Sequence, residues 1–224
     1  MNKVILIVAA HSDDEALGCA GTMALHAAQG DEVHVLFMTD GVGARGGKAD
    51  TLMKERQRAM RVAAKILGTA STTCLGLPDN RMDSLALIDI VQPIEKFIES
   101  LHPEIIYTHH YGDLNIDHRL THQAVLTACR PVPGASVKEI LAFEVLSSTE
   151  WQSPSLMPFI PNVYVDISDF MQHKISAVEA YAIEMRASPH SRNIRNVEYL
   201  ARYRGNSIGV DAAEAMMLVR KLRR

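Results

Sequence analysis

Apolar runs and helical stripes alternate along the chain from its first residues. Val4 to Ala9 is an unbroken apolar, mostly branched run, the pattern of a strand buried on both faces. From Ala16 to Gln29, Leu17, Ala20, Ala24, Leu25 and Ala28 recur at helical spacing, and Gly30 ends the segment. The alternation continues through a strand at Glu32–Thr39, a helix at Asp50–Leu67 closed by Gly68, and a short strand at Thr72–Leu75. A helix at Ser84–Leu101 stopped by Pro103, a strand at Ile105–Thr108 and a helix at His118–Cys129 follow. Beyond Pro131 the pattern predicts strands at Ile140–Val145 and Val163–Ile167, a long helix at Asp169–Met185 and a further helix near Val197–Tyr203. Strands separated by helices imply βαβ units. The predicted class is α/β: a Rossmann-like, mostly parallel sheet with helices on both faces, plus a C-terminal helical and loop extension. No repeat, low-complexity tract or linker interrupts it, so residues 1–224 read as one α/β domain.

Composition narrows the function classes. A chain that is 47% hydrophobic and 22% charged is neither disordered nor fibrous. With 5% aromatics and a net charge of −3, it has neither the stacking surface nor the phosphate-coating charge of a nucleic-acid binder. The charge is uneven: from Arg186 to Arg224, nine Lys/Arg stand against three Asp/Glu, so the rest of the chain carries −9. Two readings of the basic end stay open. It is a solvated last helix, or some of its arginines face an anionic part of a substrate. Cys19, Cys74 and Cys129 are scattered and odd in number, which predicts free thiols in a reducing compartment. The apolar start is broken by charge too early for a signal peptide or a membrane span, so a cytoplasmic protein without a membrane partner is expected.

Ligands of a doubly wound sheet bind beyond the carboxyl ends of its strands. After the first predicted strand comes His11-Ser12-Asp13-Asp14-Glu15; after the second, a Gly-rich segment with Arg45; after the third, Pro78-Asp79-Asn80-Arg81; after the fourth, His109 to His118. A dinucleotide needs a Gly-rich turn after the first strand. Three carboxylates there repel anions and invite a cation instead. His11 and Asp14, three apart on one tight turn, suit two ligands of one ion, and the His118 region offers a third. Asp13 is then left beside the metal, where a carboxylate can take a proton from bound water.

Ala10-His11-Ser12-Asp13-Asp14-Glu15 resembles the AHPDDE signature of the PIG-L/LmbE-like zinc N-deacetylases. The block from Tyr107 to Arg119 resembles the second metal-binding motif of a bacterial branch of that family, and similarity extends through Gly76–Arg81, Pro189–Arg192 and Arg204-Gly205. The resemblance implies Zn²⁺ held by His11, Asp14 and His118, with Fe²⁺ or Co²⁺ also suited to such ligands. It implies Asp13 as the general base, hydrolysis of the acetamide of an N-acetylated amino sugar, and a homo-oligomer. A metal- or carbohydrate-binding protein without turnover, and an amidase acting on a non-sugar N-acyl group, are the alternatives.

Two positions depart from the family pattern. Ser12 replaces Pro and is able to cap the following helix. Asn115 stands where many relatives have a His that steadies the oxyanion. Its amide donates a hydrogen bond but carries no charge, so Arg45, His110 and His190 are candidates for cationic help. Asp117 is expected to orient a neighbouring His or the metal's ligands. Asp79 and Arg81 are either sugar contacts or only a turn. Of His109 and His110, alternation along a strand lets at most one face the site. His122 is read as packing or as a group behind the ligands, and Trp151 as core or as a sugar-stacking face.

Overall fold

A computed structural model describes residues 2–41 and 49–223. Seven strands form one sheet in the order β3-β2-β1-β4-β5-β7-β6. In chain order the elements are β1 Val4–Ala9, α1 Asp14–Ala28, β2 Glu32–Thr39, α2 Ala49–Leu67, β3 Ser71–Leu77, α3 Leu87–Leu101, β4 Ile105–His109 and α4 Ile116–Ala128. Then come β5 Glu139–Phe143, β6 Val163–Asp166, α5 Met171–Ala180, α6 Ile194–Asn206 and β7 Ala213–Lys221. The pairs β3–β2, β2–β1, β1–β4 and β4–β5 are parallel, as the alternation predicts.

Side chains alternate across β1 into two cores. Ile5, Ile7 and Ala9 pack with α1, α2 and α5, while Leu6 and Val8 pack with α3 and α4. Strand order runs outward from β1 in one direction and from β4 in the other. The crevice beyond the carboxyl ends of these two strands is therefore the topological switch point, where such sheets bind ligands.

The C-terminal end departs from expectation. The basic terminus is not a solvated helix: Ala213–Lys221 is a strand, inserted antiparallel between β5 and β6. Its residues are good helix formers, but hydrogen bonding to two neighbours outweighs that preference. The helix predicted for Asp169–Met185 is also shorter. It leaves helical geometry at Tyr181, whose hydroxyl bonds Glu15 at 2.7 Å, and the following turn aims Glu184 at Arg56.

α1 is broken at Cys19 (φ −146°, ψ 23°). The break is splinted from outside. Lys174 of α5 donates to the carbonyls of Ala16 and Leu17, and Glu214 of β7 accepts from the amides of Gly21 and Thr22 and from the Thr22 hydroxyl. Lys174 and Glu214 bond each other at 2.6 Å, both buried. Gly18 lies against the Phe143 ring, where a Cβ would sit 2.3 Å from a ring carbon. The small residue lets α1 close onto β5. Among the described residues no helix is long and apolar enough to cross a membrane. The three cysteines are free, Cys19 and Cys129 buried and Cys74 exposed.

Candidate active site

The turn between β1 and α1 carries the first part of the site. His11 folds back so that Asp14 Oδ2 accepts from its amide at 2.9 Å. The cap position of α1 is Asp13, not Ser12, and Asp13 makes no side-chain cap bond. Asp13 adopts φ +134°, a conformation that L-residues rarely tolerate. Such strain is sustained where surrounding contacts over-determine it. Here they do: its amide donates to Glu15 Oε2 at 3.0 Å, and its carboxylate receives Arg192 Nη1 at 2.8 Å. Arg56 Nη2 stands 3.9 Å from the same oxygen. The turn thus sends two adjacent carboxylates to different partners.

α4 brings the second part. Asn115 caps this helix, its Oδ1 accepting from the Asp117 amide at 2.8 Å. His118 then projects toward the first turn. His11 Nδ1, Asp14 Oδ2 and His118 Nε2 form a triangle with edges of 3.2, 3.3 and 3.3 Å, all three residues buried. Tetrahedral ligands about 2.1 Å from Zn²⁺ lie about 3.4 Å apart, so the triangle fits.

The outer nitrogens fit as well. His11 Nε2 lies 3.2 Å from Asp117 Oδ2 and 3.3 Å from Asp79 Oδ1, and His118 Nδ1 lies 3.2 Å from Asp113 Oδ1. A carboxylate behind each imidazole fixes its tautomer and presents the other nitrogen to a metal. His11, Asp79 and Asp117 form a second close cluster. Both oxygens of Asp117, however, already accept backbone amides, from Asn80 at 2.7 Å and Met82 at 3.1 Å, which suits orienting His11 better than ligation.

Electrostatics point the same way. Burial disfavours the charged imidazoles, yet Asp117 and Asp14 carry His11 up to about 10, and Asp14 and Asp113 carry His118 up to about 9. Burial also opposes the Asp14 charge, but His118 and His109 hold its carboxyl well below the usual range. The protein alone draws positive charge into this cluster, and a divalent cation supplies it without protons. Burial pushes the Asp13 carboxyl up, against Arg192 and Arg56, which suits a proton acceptor.

The triangle lines a polar cleft of about 140 Å³ with Asp13, Asp79, Asn80, Asn115, Ser147, Ser148, Arg56, Glu184 and Arg192 among its walls. Of the described residues expected to touch substrate, only Asp79 lines it. Arg81 is exposed and outside the cleft, because the turn after β3 wraps Asp117 rather than opening toward it. His110 turns away, with Nε2 on the Met157 carbonyl at 2.9 Å and its ring against Phe159. His109 faces the site instead, accepting the Ala10 amide at 2.8 Å and stacking on His118 with centroids 3.9 Å apart. His190 packs on Trp151, and His122 bonds the His109 carbonyl. Arg45 lies outside the described residues.

Five positions at the site received no role from the sequence: Arg56, Glu184, Ser147, Ser148 and Asp113. One signal was available. Arg56 falls on the stripe Met53, Arg56, Met60, Ala63, Leu67, a charge at a core position of an amphipathic helix.

Residues 6–129 match the PIG-L family, described as GlcNAc-PI de-N-acetylase. The chain is 32% identical over 185 residues to YaiS, an uncharacterized deacetylase of Escherichia coli (strain K12), covering 80% of this chain and 90% of that protein. It is 26% identical over 195 residues to a probable N-acetyl-alpha-D-glucosaminyl L-malate deacetylase 2 of Bacillus cereus, covering 84% and 86%. In fold it is similar to N,N'-diacetylchitobiose deacetylase from Pyrococcus horikoshii (TM-score 0.79, 20% identity, 97% of this chain and 84% of that one). It is equally similar in fold to GalB, the 4-carboxy-2-hydroxymuconate hydratase from Pseudomonas putida KT2440 (TM-score 0.79, 22% identity, 99% and 98%). The match over more than half its length, together with the relative at 32% identity, shows that the chain belongs to the PIG-L family.

Proposed function

We propose that this protein is a metal-dependent deacetylase that hydrolyses the acetamide of an N-acetylglucosamine-type conjugate to acetate and a free amine. The observation that carries the reading is the His11–Asp14–His118 triangle with Asp13 beside it, turned by a strained backbone toward Arg192 instead of the triangle. One relative is named a probable N-acetyl-alpha-D-glucosaminyl L-malate deacetylase and one protein of similar fold an N,N'-diacetylchitobiose deacetylase, and the cleft is walled by carboxylates, amides and hydroxyls suited to sugar hydroxyl groups.

His11, Asp14 and His118 would hold the cation, Zn²⁺ by donor chemistry and also Fe²⁺ or Co²⁺. When bound it supplies Lewis acidity and lowers the pKa of water. Asp13 takes the proton of the attacking water, whose oxygen adds to the acetamide carbon. As the C–N bond breaks, Asp13 returns that proton to the leaving nitrogen, so water and amide become amine and acetic acid, which passes its proton to the amine to leave acetate and ammonium. Arg192 keeps the Asp13 carboxylate aimed into the cleft. Asp117 and Asp79 behind His11, and Asp113 behind His118, hold the imidazoles in register. Arg192 and the Asn115 amide, both in the cleft lining, are donors available to the charge that gathers on the carbonyl oxygen.

Amine release from N-acetylglucosamine conjugates, measured with the metal-loaded protein, tests this. Asp13→Ala should lose about 10²- to 10⁴-fold in rate while keeping its metal. A wild type that binds metal but frees no amine leaves a binding protein. Water added across a carbon–carbon double bond instead would make it a hydratase like GalB.

A further inference from the structure

We propose that Trp151 and His190 form a stacking platform for a second pyranose ring, the sugar attached to the N-acetylated one. The chain has one Trp, and it is 51% exposed, far from the burial that a large aromatic usually finds. It is not idle surface. Its ring meets His190 edge to face, with centroids 5.4 Å apart at 72°.

Both residues stand on the segments that build the cleft. Trp151 ends the short turn Thr149–Trp151, which is pinned because Ser148 Oγ and Thr149 Oγ1 both donate to Asp113, the carboxylate behind His118. Ser147 and Ser148, three to four residues before Trp151, line the cleft. His190 precedes Arg192, which reaches Asp13 and also donates from Nε to Ser147 Oγ at 2.8 Å. That bond ties the two segments together at the cleft wall.

The His190 ring is fixed as well. Its Nδ1 accepts the Arg192 amide at 3.0 Å, so Nε2 carries the hydrogen, and no described residue accepts it. The segments that flank the cleft therefore carry a half-exposed indole beside a fixed, unclaimed N–H donor, both next to the cleft lining rather than part of it. An apolar face next to a polar donor suits a pyranose, whose C–H face stacks on an aromatic ring while its hydroxyls bond the edge. The triangle would hold the acetamide of one sugar, and this platform the next ring. The inference rests on the deacetylase reading for what lies in the cleft, but not for the platform itself.

Because Trp151 is the only Trp, the intrinsic indole fluorescence of the holoenzyme reports on this face directly. Titration with N,N'-diacetylchitobiose should shift and saturate the emission, while the methyl β-glycoside of N-acetylglucosamine, which lacks the second ring, should leave it nearly unchanged. Trp151→Ala should raise KM for the disaccharide about tenfold with kcat unchanged, and alter the methyl glycoside less than twofold. Trp151→Phe should recover part of the loss. An unchanged disaccharide KM in Trp151→Ala, equal losses on both substrates, or no spectral change with the disaccharide overturns the platform. If neither compound is deacetylated, the reading of the cleft fails, and the fluorescence titration still decides the platform.

Discussion

Two buried charge clusters lie along α1, and they are built in opposite ways. At the break near Cys19, Lys174 and Glu214 face each other, and their remaining capacity is taken by helix carbonyls, amides and a hydroxyl. At the start of the same helix, Asp13, Asp14 and Glu15 meet Asp79, Asp113 and Asp117 around His11, His109 and His118, with Arg56 and Arg192 on one side only. The first cluster is closed on itself. The second carries more negative charge than the described residues balance, and it borders a cleft. Burying charge is costly unless it is paired. A closed cluster therefore reads as architecture, and an open one as a place that receives something. Sequence neighbours on one helix serve both ends.

The comparison is broken most severely at its closed end. Lys174→Met leaves Glu214 buried without its cation and should cost about 3–5 kcal/mol in urea unfolding. Adding Glu214→Leu should restore only part, because the amides of Gly21 and Thr22 lose their acceptor as well. Metal bound per folded molecule should not change in either variant. A double variant as stable as the wild type would show that the pair is dispensable for the broken helix.

The open end is sharpened by a smaller change. Asp117→Asn keeps the shape beside His11 but removes the carboxylate. Metal affinity, measured by competition with a chelator, should weaken by roughly 10- to 100-fold, and the metal-free protein should lose about 1–3 kcal/mol, because the new amide nitrogen faces one of the two backbone N–H groups that the carboxylate accepts. Unchanged affinity would mean that Asp117 serves only the turn that it bonds at Asn80 and Met82.

Periodicity revealed what was local. The run Val4–Ala9, the helical stripe after it and the strand ends carrying His11, Asp79 and His118 all stand where the pattern places them. What stayed hidden depended on distant partners. Ala213–Lys221 is composed of helix formers and becomes a strand only because β5 and β6 both pair with it. The Arg192–Asp13 contact joins residues 179 positions apart, and Arg56–Glu184 joins residues 128 apart. No local spacing reports such contacts. Strand alternation did limit the His109–His110 pair to one inward ring, but choosing His109 required the register of β4 against β1. The basic end, read from its charge as a candidate for an anionic substrate group, sends Arg192 to the site, where its first partner is the protein's own Asp13.

Metal analysis of the purified protein tests the central claim most directly. Metal-free protein should take up one divalent ion per chain and release amine from an N-acetylglucosamine conjugate only when that ion is present. Asp14→Ala and His118→Ala should lose both while remaining folded. Full amine release by the metal-free protein, or undiminished metal binding in Asp14→Ala, would contradict the account.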